Sequence, residues 1–181
     1  FSAADFEDFL EPRPDLPADM ESELKGVVSL LAANKWPFRL HATYNESISR
    51  FLDVYEEVNR EIPFEGLHWF FDHCETIDEK NLERVKALGG GIAVQCRMAY
   101  QGEYFMDRYG KEAAEHTPPV RRMLEMGIPV GAGTDATRVA SYNPWVSLYW
   151  LTTGKTVGGA RMYREEDCLS REEALRLYTQ G

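Results

Sequence analysis

Three side chains in this sequence have types and settings that could do chemistry together. His41 stands near the end of Trp36-Pro-Phe-Arg-Leu-His-Ala42, and His73 near the end of Leu67-His-Trp-Phe-Phe-Asp-His-Cys74. Asp135 follows the thin run Pro129-Val-Gly-Ala-Gly-Thr134. Two imidazoles and a carboxylate make a ligand set suited to Zn²⁺ or a similar divalent ion. Such an ion polarises a carbonyl and lowers the pKa of water, and a carboxylate beside that water can take its proton. The three residues lie far apart in sequence, so the residues alone leave two readings open. Either they form a metal or catalytic site, or the histidines end strands with satisfied hydrogen bonds.

The elements that must position them follow from the pattern of apolar residues. Short apolar runs predict strands near 37–42, 67–74, 91–96 and 129–135, and Pro37 falls at the start of the first, where a missing N–H costs least. Helical spacing of Leu24, Val27, Val28, Leu30 and Leu31 predicts a helix from about 19 to 35 with Asp19 as its N-cap. Asn45 is read as the cap of the next helix, whose apolar face is Ile48, Phe51, Leu52, Tyr55 and Val58. Thr76 or Asp78 is expected to cap a helix from 78 to 88, and another runs from Pro118 or Pro119 to Gly127. Asn143-Pro-Trp starts a helix reaching Thr153, with Trp145, Leu148, Tyr149 and Leu151 as its core face. Ser170-Arg-Glu-Glu173 has the capping-box pattern of a last helix. Residues 1–18 read as a loop or poorly ordered arm, and 97–116 as a long polar and aromatic loop. Strand ends are spaced by about 32, 23 and 39 residues, near the size of a βα unit. The fold class is therefore α/β, four parallel strands with flanking helices over 19–181. That is an open sheet or half of a (β/α)₈ barrel, since a full barrel takes about 250 residues. In both, strand ends converge on the ligand face.

Composition removes several classes. The 181 residues carry a net charge of −10, which argues against nucleic acid or an anionic membrane as the main partner. No apolar run reaches the length of a membrane span. The N-terminus, Phe1-Ser-Ala-Ala-Asp, is not a signal peptide and has no initiator Met, so the chain reads as starting inside a longer protein. Cys74, Cys96 and Cys168 have no CxxC spacing and read as reduced thiols of a cytoplasmic protein. Gly89-Gly-Gly91 precedes its strand rather than following it, which argues against a phosphate loop and so against a small nucleotide-binding α/β domain.

The ordered series Arg-Leu-His41-Ala, Phe-Asp-His73-Cys, Gly-Ile-Ala-Val-Gln95, Gly-Ala-Gly-Thr-Asp135-Ala and Leu169-Ser-Arg-Glu-Glu-Ala-Leu-Arg-Leu-Tyr-Thr179 resembles the second half of a metal-dependent amidohydrolase, a TIM-barrel hydrolase. The branch it resembles includes N-substituted formamide deformylases. The resemblance runs from about residue 19 to the end. It implies that His41 and His73 are the metal ligands of barrel strands five and six. Asp135 is then the strand-eight ligand that shuttles a proton from the hydrolytic water. It also implies one or two divalent ions, Zn²⁺ foremost, and a small amide-type substrate. The sequence departs from the family pattern in several places, and it lacks the bridging ligand that some members carry at strand three or four. No His-x-His pair occurs anywhere, Tyr44-Asn45 stands where relatives show Gly-Asp, Phe71-Asp72 where they show Ile-Glu, and Cys96 where many have proline.

Arg97, Tyr100 and Arg138 are candidate substrate contacts, the first two in the aromatic 97–109 stretch and the third shortly after Asp135. His68 near a strand start and His116 in a loop are read as structural and surface residues. Arg164-Glu-Glu-Asp167 is read as a solvated turn. The leading expectation is the C-terminal barrel half of a metal-dependent hydrolase of amide or related C–N bonds. The alternative is a catalytically incomplete half-barrel that self-associates, or pairs with a missing N-terminal half, through its open sheet edges.

Overall fold

A computed structural model describes residues 16–136 and 139–180. Strands alternate with helices as expected: α1 (Met20–Ala33), β1 (Phe38–Ala42), α2 (Asn45–Glu61), β2 (Trp69–His73), α3 (Glu79–Ala87), β3 (Gly91–Gln95), α4 (Arg97–Tyr109), α5 (Lys111–Ala114), α6 (Val120–Glu125), β4 (Val130–Gly133), α7 (Pro144–Thr153) and α8 (Arg171–Thr179). The four strands are parallel, in the sheet order β1-β2-β3-β4. The arm expected over 1–18 lies outside the described residues up to residue 15. No described helix is long and apolar enough to cross a membrane. The chain divides into two compact units, residues 1–92 and 93–181.

The first unit is built on β1 and β2, which pair in parallel with Leu40 beside Phe71 and His41 beside Asp72. Side chains alternate across a strand. Phe38 meets Tyr55 of α2 edge-on and Phe71 stacks on the same ring, so Phe38, Leu40, Ala42, Trp69 and Phe71 face α2. Arg39, His41, Phe70 and Asp72 take the other face. There the Arg39 Nε donates to Asp72 Oδ2 at 2.8 Å, and the guanidinium sits 5.0 Å from the centre of the Phe70 ring. Asp78 caps α3 by accepting from Asn81 N, as expected. Asn45 does not cap α2. Tyr44 holds that position, and the Asn45 side chain turns to the neighbouring loop instead.

In the second unit the stretch expected as a loop, 97–116, is mostly helical. Met98, Ala99, Gly102 and Phe105 fall at helical spacing and are all buried in α4. Gly102 hides that pattern from a hydropathy reading. A Cβ there would come within 2.7 Å of Met162 Sδ, so the residue is small because the helix packs closely. In α7 the expected core face is only partly right. Leu151 is buried, but Trp145 is 69% exposed and Tyr149 47% exposed, and Trp150 is the buried ring. Trp150 packs 5.3 Å from Tyr163, which explains why it, rather than Trp145, faces inward. His116 is exposed, and residues Glu165–Asp167 form an exposed 3-10 turn. His68 is exposed just before β2, where its carbonyl accepts from Phe38 N. The three cysteines are free thiols.

The capping box of α8 forms as the sequence predicts. Ser170 Oγ accepts from Glu173 N, and Glu173 accepts from Ser170 N at 2.7 Å. Arg121 donates to both Glu173 oxygens. These bonds, the Arg121 contact first, hold the Glu173 carboxyl down at about 2. A carboxyl lowered in the folded state stabilises above its unfolded pKa of roughly 4.3, and that contribution is lost as pH falls through about 2. Glu173→Gln is therefore expected to cost about 1 kcal/mol at neutral pH. The gap from wild type should close as urea melts are repeated towards pH 2. A gap that persists unchanged at low pH would rule out the ionised carboxylate as its source.

Candidate metal centre

His41 and His73 sit at the ends of adjacent strands, and the structure brings them together. Their ring centres are 4.5 Å apart, edge to face at 68°. Strict alternation would send His73 to the α2 face with Trp69 and Phe71. Its backbone prevents that: φ is +84° at His73 and +53° at Cys74, the left-handed region that L-residues rarely occupy. The turn reverses the side-chain direction and lays the His73 ring beside His41. Such conformations cost on the order of 1–3 kcal/mol each and persist only where surrounding bonds over-determine them. Here Cys74 N donates to Ala42 O at 2.9 Å, and Thr76 N donates to Thr43 O at 3.2 Å. Thr43 Oγ1 lies 3.2 Å from His41 Nε2. Asp72, held by Arg39, is the cross-strand neighbour of His41, so the pair has a charged neighbour on its own face.

Asp135 lies in the second unit, just past the end of β4, exposed and with φ at +52°. Two of the three sequence candidates thus occupy left-handed backbone at strand ends. Cys96 ends the neighbouring run of that unit, fully buried, with its Sγ 3.9 Å from Thr134 O. Burial pushes the Cys96 thiol up, and the Asp135 carboxylate adds to that shift. Arg97 opens α4 and is buried, its Nε donating to Gln101 Oε1 at 2.7 Å, while Tyr100 is half-exposed on the same helix. Arg138 lies outside the described residues. Among the described residues no group of three or more His, Cys, Asp or Glu side chains is arranged to hold a metal ion. The donor set that is assembled is a pair of imidazoles, which fits half of a divalent-ion shell. Asn45, Thr76, Asp78 and Asn81, which tie the segments after the two histidine-bearing strands, carry no functional expectation from the sequence. The available signal was their position a few residues past each strand-end histidine.

Four parallel strands alternating with helices place the chain in the α/β class that includes the (β/α)₈ barrels. The family model described as "Amidohydrolase family" matches residues 1–181, and the chain belongs to that family. It is 24% identical over 134 residues to the putative amidohydrolase YtcJ of Bacillus subtilis, a match covering 72% of this chain and 25% of that protein. An uncharacterised metal-dependent hydrolase from Pyrococcus furiosus superimposes with a TM-score of 0.68 at 23% identity, over 87% of this chain and 31% of that one. The guanine deaminase of C. acetobutylicum, solved with guanine in its active site, superimposes at 0.50 with 19% identity, over 93% of this chain and 40% of that one. The chain therefore spans well under half the length of each of these proteins.

Proposed function

We propose that the protein containing this chain is a metal-dependent hydrolase of amide or related C–N bonds, of the kind represented by N-substituted formamide deformylases. His41 and His73 are two of its metal ligands, and Asp135 is a third ligand and the proton carrier. The observation that carries this reading is the histidine pair, two imidazoles set 4.5 Å apart beside a left-handed turn at His73 and Cys74. A divalent ion, Zn²⁺ foremost for an imidazole-rich set, supplies carbonyl polarisation and acidification of water when bound.

The chain's own residues divide the remaining work. His41 and His73 present ring nitrogens, and Thr43 fixes the rotation of the first. An Asp135 carboxylate oxygen takes the proton of the attacking water and later gives it to the leaving nitrogen, so the amide bond breaks as the new C–O bond forms and no net proton is consumed at Asp135. Its exposed place past the strand leaves room for a substrate to approach. Tyr100, Arg138 and Arg97, whose Nε donates to Gln101, are proposed substrate contacts. The remaining ligands and the rest of the barrel come from residues outside these 181, in the same polypeptide or in a paired chain.

Replacement of either histidine tests the reading. In the full-length protein, His41→Ala and His73→Ala are each expected to weaken divalent-ion affinity by at least about 100-fold, more than loss of a supporting residue costs. Metal content measured after desalting gives the answer, and wild-type content in both variants would overturn the assignment.

A further inference from the structure

We infer that Asn45, Asp78 and Asn81 form a positioning node that sets the separation of the His41 and His73 rings; this rests on the metal-ligand reading of those histidines. Asn45 follows β1 and Asp78 follows β2, each shortly after its histidine. Their side chains close a reciprocal pair: Asn45 Nδ2 donates to Asp78 Oδ2 at 2.9 Å, and Asp78 N donates to Asn45 Oδ1 at 2.9 Å. Asn81, 1% exposed, donates through Nδ2 to Asn45 Oδ1 and to Ser49 Oγ, both at 2.8 Å. Its own oxygen accepts from Arg84 Nη1 at 3.1 Å. Thr76 Oγ1 accepts from Asn45 N at 2.9 Å.

Apart from the Arg84–Asn81 bond, which lies within α3, these bonds join the first turns of α2 to the loop or helix after β2. A cap for α2 would have been the local use of Asn45, and the structure spends the side chain across the loops instead. The consequence is mechanical. The left-handed turn at His73 and Cys74 is favourable only if the segment that follows is pinned to the β1 side, and the node is where the pinning side chains converge. Loosening it lets the turn relax towards ordinary extended backbone, which returns the His73 ring to the α2 face and away from His41. In these bonds the node meets neither ring. It acts through the backbone, and small displacements of ligands held by supporting bonds are known to cost metal sites about 10- to 100-fold in affinity.

The pair can be exchanged without changing total charge. Asn45→Asp places two carboxylates against each other and removes the donor to Asp78, so it breaks the node. Adding Asp78→Asn restores one donor and one acceptor in reversed order, and asparagine caps α3 as well as aspartate does. In the full-length protein, chelator competition should show N45D binding Zn²⁺ at least about 10-fold more weakly than wild type, and N45D/D78N recovering to within about 3-fold. The ring C–H resonances of His41 and His73 in the metal-free protein should shift in N45D and return in the exchanged pair. Thr76→Val, which removes the hydroxyl that accepts from Asn45 N and donates to Thr43 O at 3.5 Å, gives a milder version should N45D fail to fold. A node that is merely structural would lower the melting temperature and leave both affinity and resonances in place. That outcome, or an exchange that recovers stability but not affinity, would overturn the inference. The resonance readout stands even if His41→Ala leaves metal content untouched, which would count against the proposed function alone.

Discussion

Asp135→Asn in the full-length protein is expected to abolish measurable C–N bond hydrolysis while the fold survives. Removal of a general base costs roughly 10²- to 10⁴-fold in kcat. The substitution suits this position unusually well as a probe. Asparagine has the shape of aspartate and tolerates left-handed backbone, so φ of +52° adds no new strain. The side chain is exposed, so no buried cavity opens. Melting temperature should move by less than the equivalent of about 0.5 kcal/mol, the usual range for surface changes. Asp135→Ala should lose activity to the same degree but lose more stability, because alanine lacks the polar side chain that eases a positive φ. An amide substrate turned over by D135N at the wild-type rate would remove Asp135 from the chemistry. A variant that loses activity only because it has unfolded would show it in the melt, so the two causes separate.

The sequence made the strand ends legible and left the turn after β2 hidden, and the reason is physical. His41, His73 and Asp135 stand where apolar runs stop, so a reading of hydropathy finds them directly. What brings the first two together is a backbone sign at His73 and Cys74, and neither residue type advertises a positive φ as glycine would. Period-two reasoning alone places the His73 ring on the wrong face. Asn45 misled in a related way: a polar residue before an apolar periodic run has the signature of a cap, and only the neighbouring strand's loop reveals the competing partner. The missed helix α4 shows a third cause. Its aromatic and glycine content resembles a loop until Met162 is known to lie against Gly102, a contact across a long stretch of chain. Local grammar was sufficient at the ends of α6, α7 and α8, where proline, asparagine, glycine and the capping box act within a few residues.

Trp69→Ala is expected to be the most destabilising single change in the first unit, at about 3–5 kcal/mol, the cost of removing a large buried aromatic. Trp69 is 2% exposed and is the hub of the unit's aromatic core. It meets Tyr55 at 4.9 Å and Phe71 at 5.3 Å, both edge to face, with Phe64 at 6.2 Å and Phe38 stacked at 6.5 Å. Its Nε1 donates to Leu88 O at 3.2 Å, which ties the end of α3 to β2. The same ring dictates Gly90. A Cβ on that residue would overlap the indole ring, which is rigid and buried and cannot move aside cheaply. Gly90→Ala alone should therefore cost about 1–3 kcal/mol as overpacking. In the Trp69→Ala background the same methyl enters the space the indole leaves, so Gly90→Ala should cost much less there and the pair should couple by at least about 1 kcal/mol. Urea unfolding of the two single variants and the double variant measures the coupling. Strict additivity would show that Gly90 is small for some reason other than Trp69. The histidines enter the same prediction, because β2 is the strand that carries His73. Trp69→Phe keeps the aromatic packing partly intact while losing the Leu88 bond, and should retain the His41–His73 geometry, whereas Trp69→Ala frees β2 to shift against α2. Divalent-ion affinity measured in both variants should fall only in the second, and an equal fall in both would place the anchoring of β2 in the Leu88 hydrogen bond rather than in the packed ring.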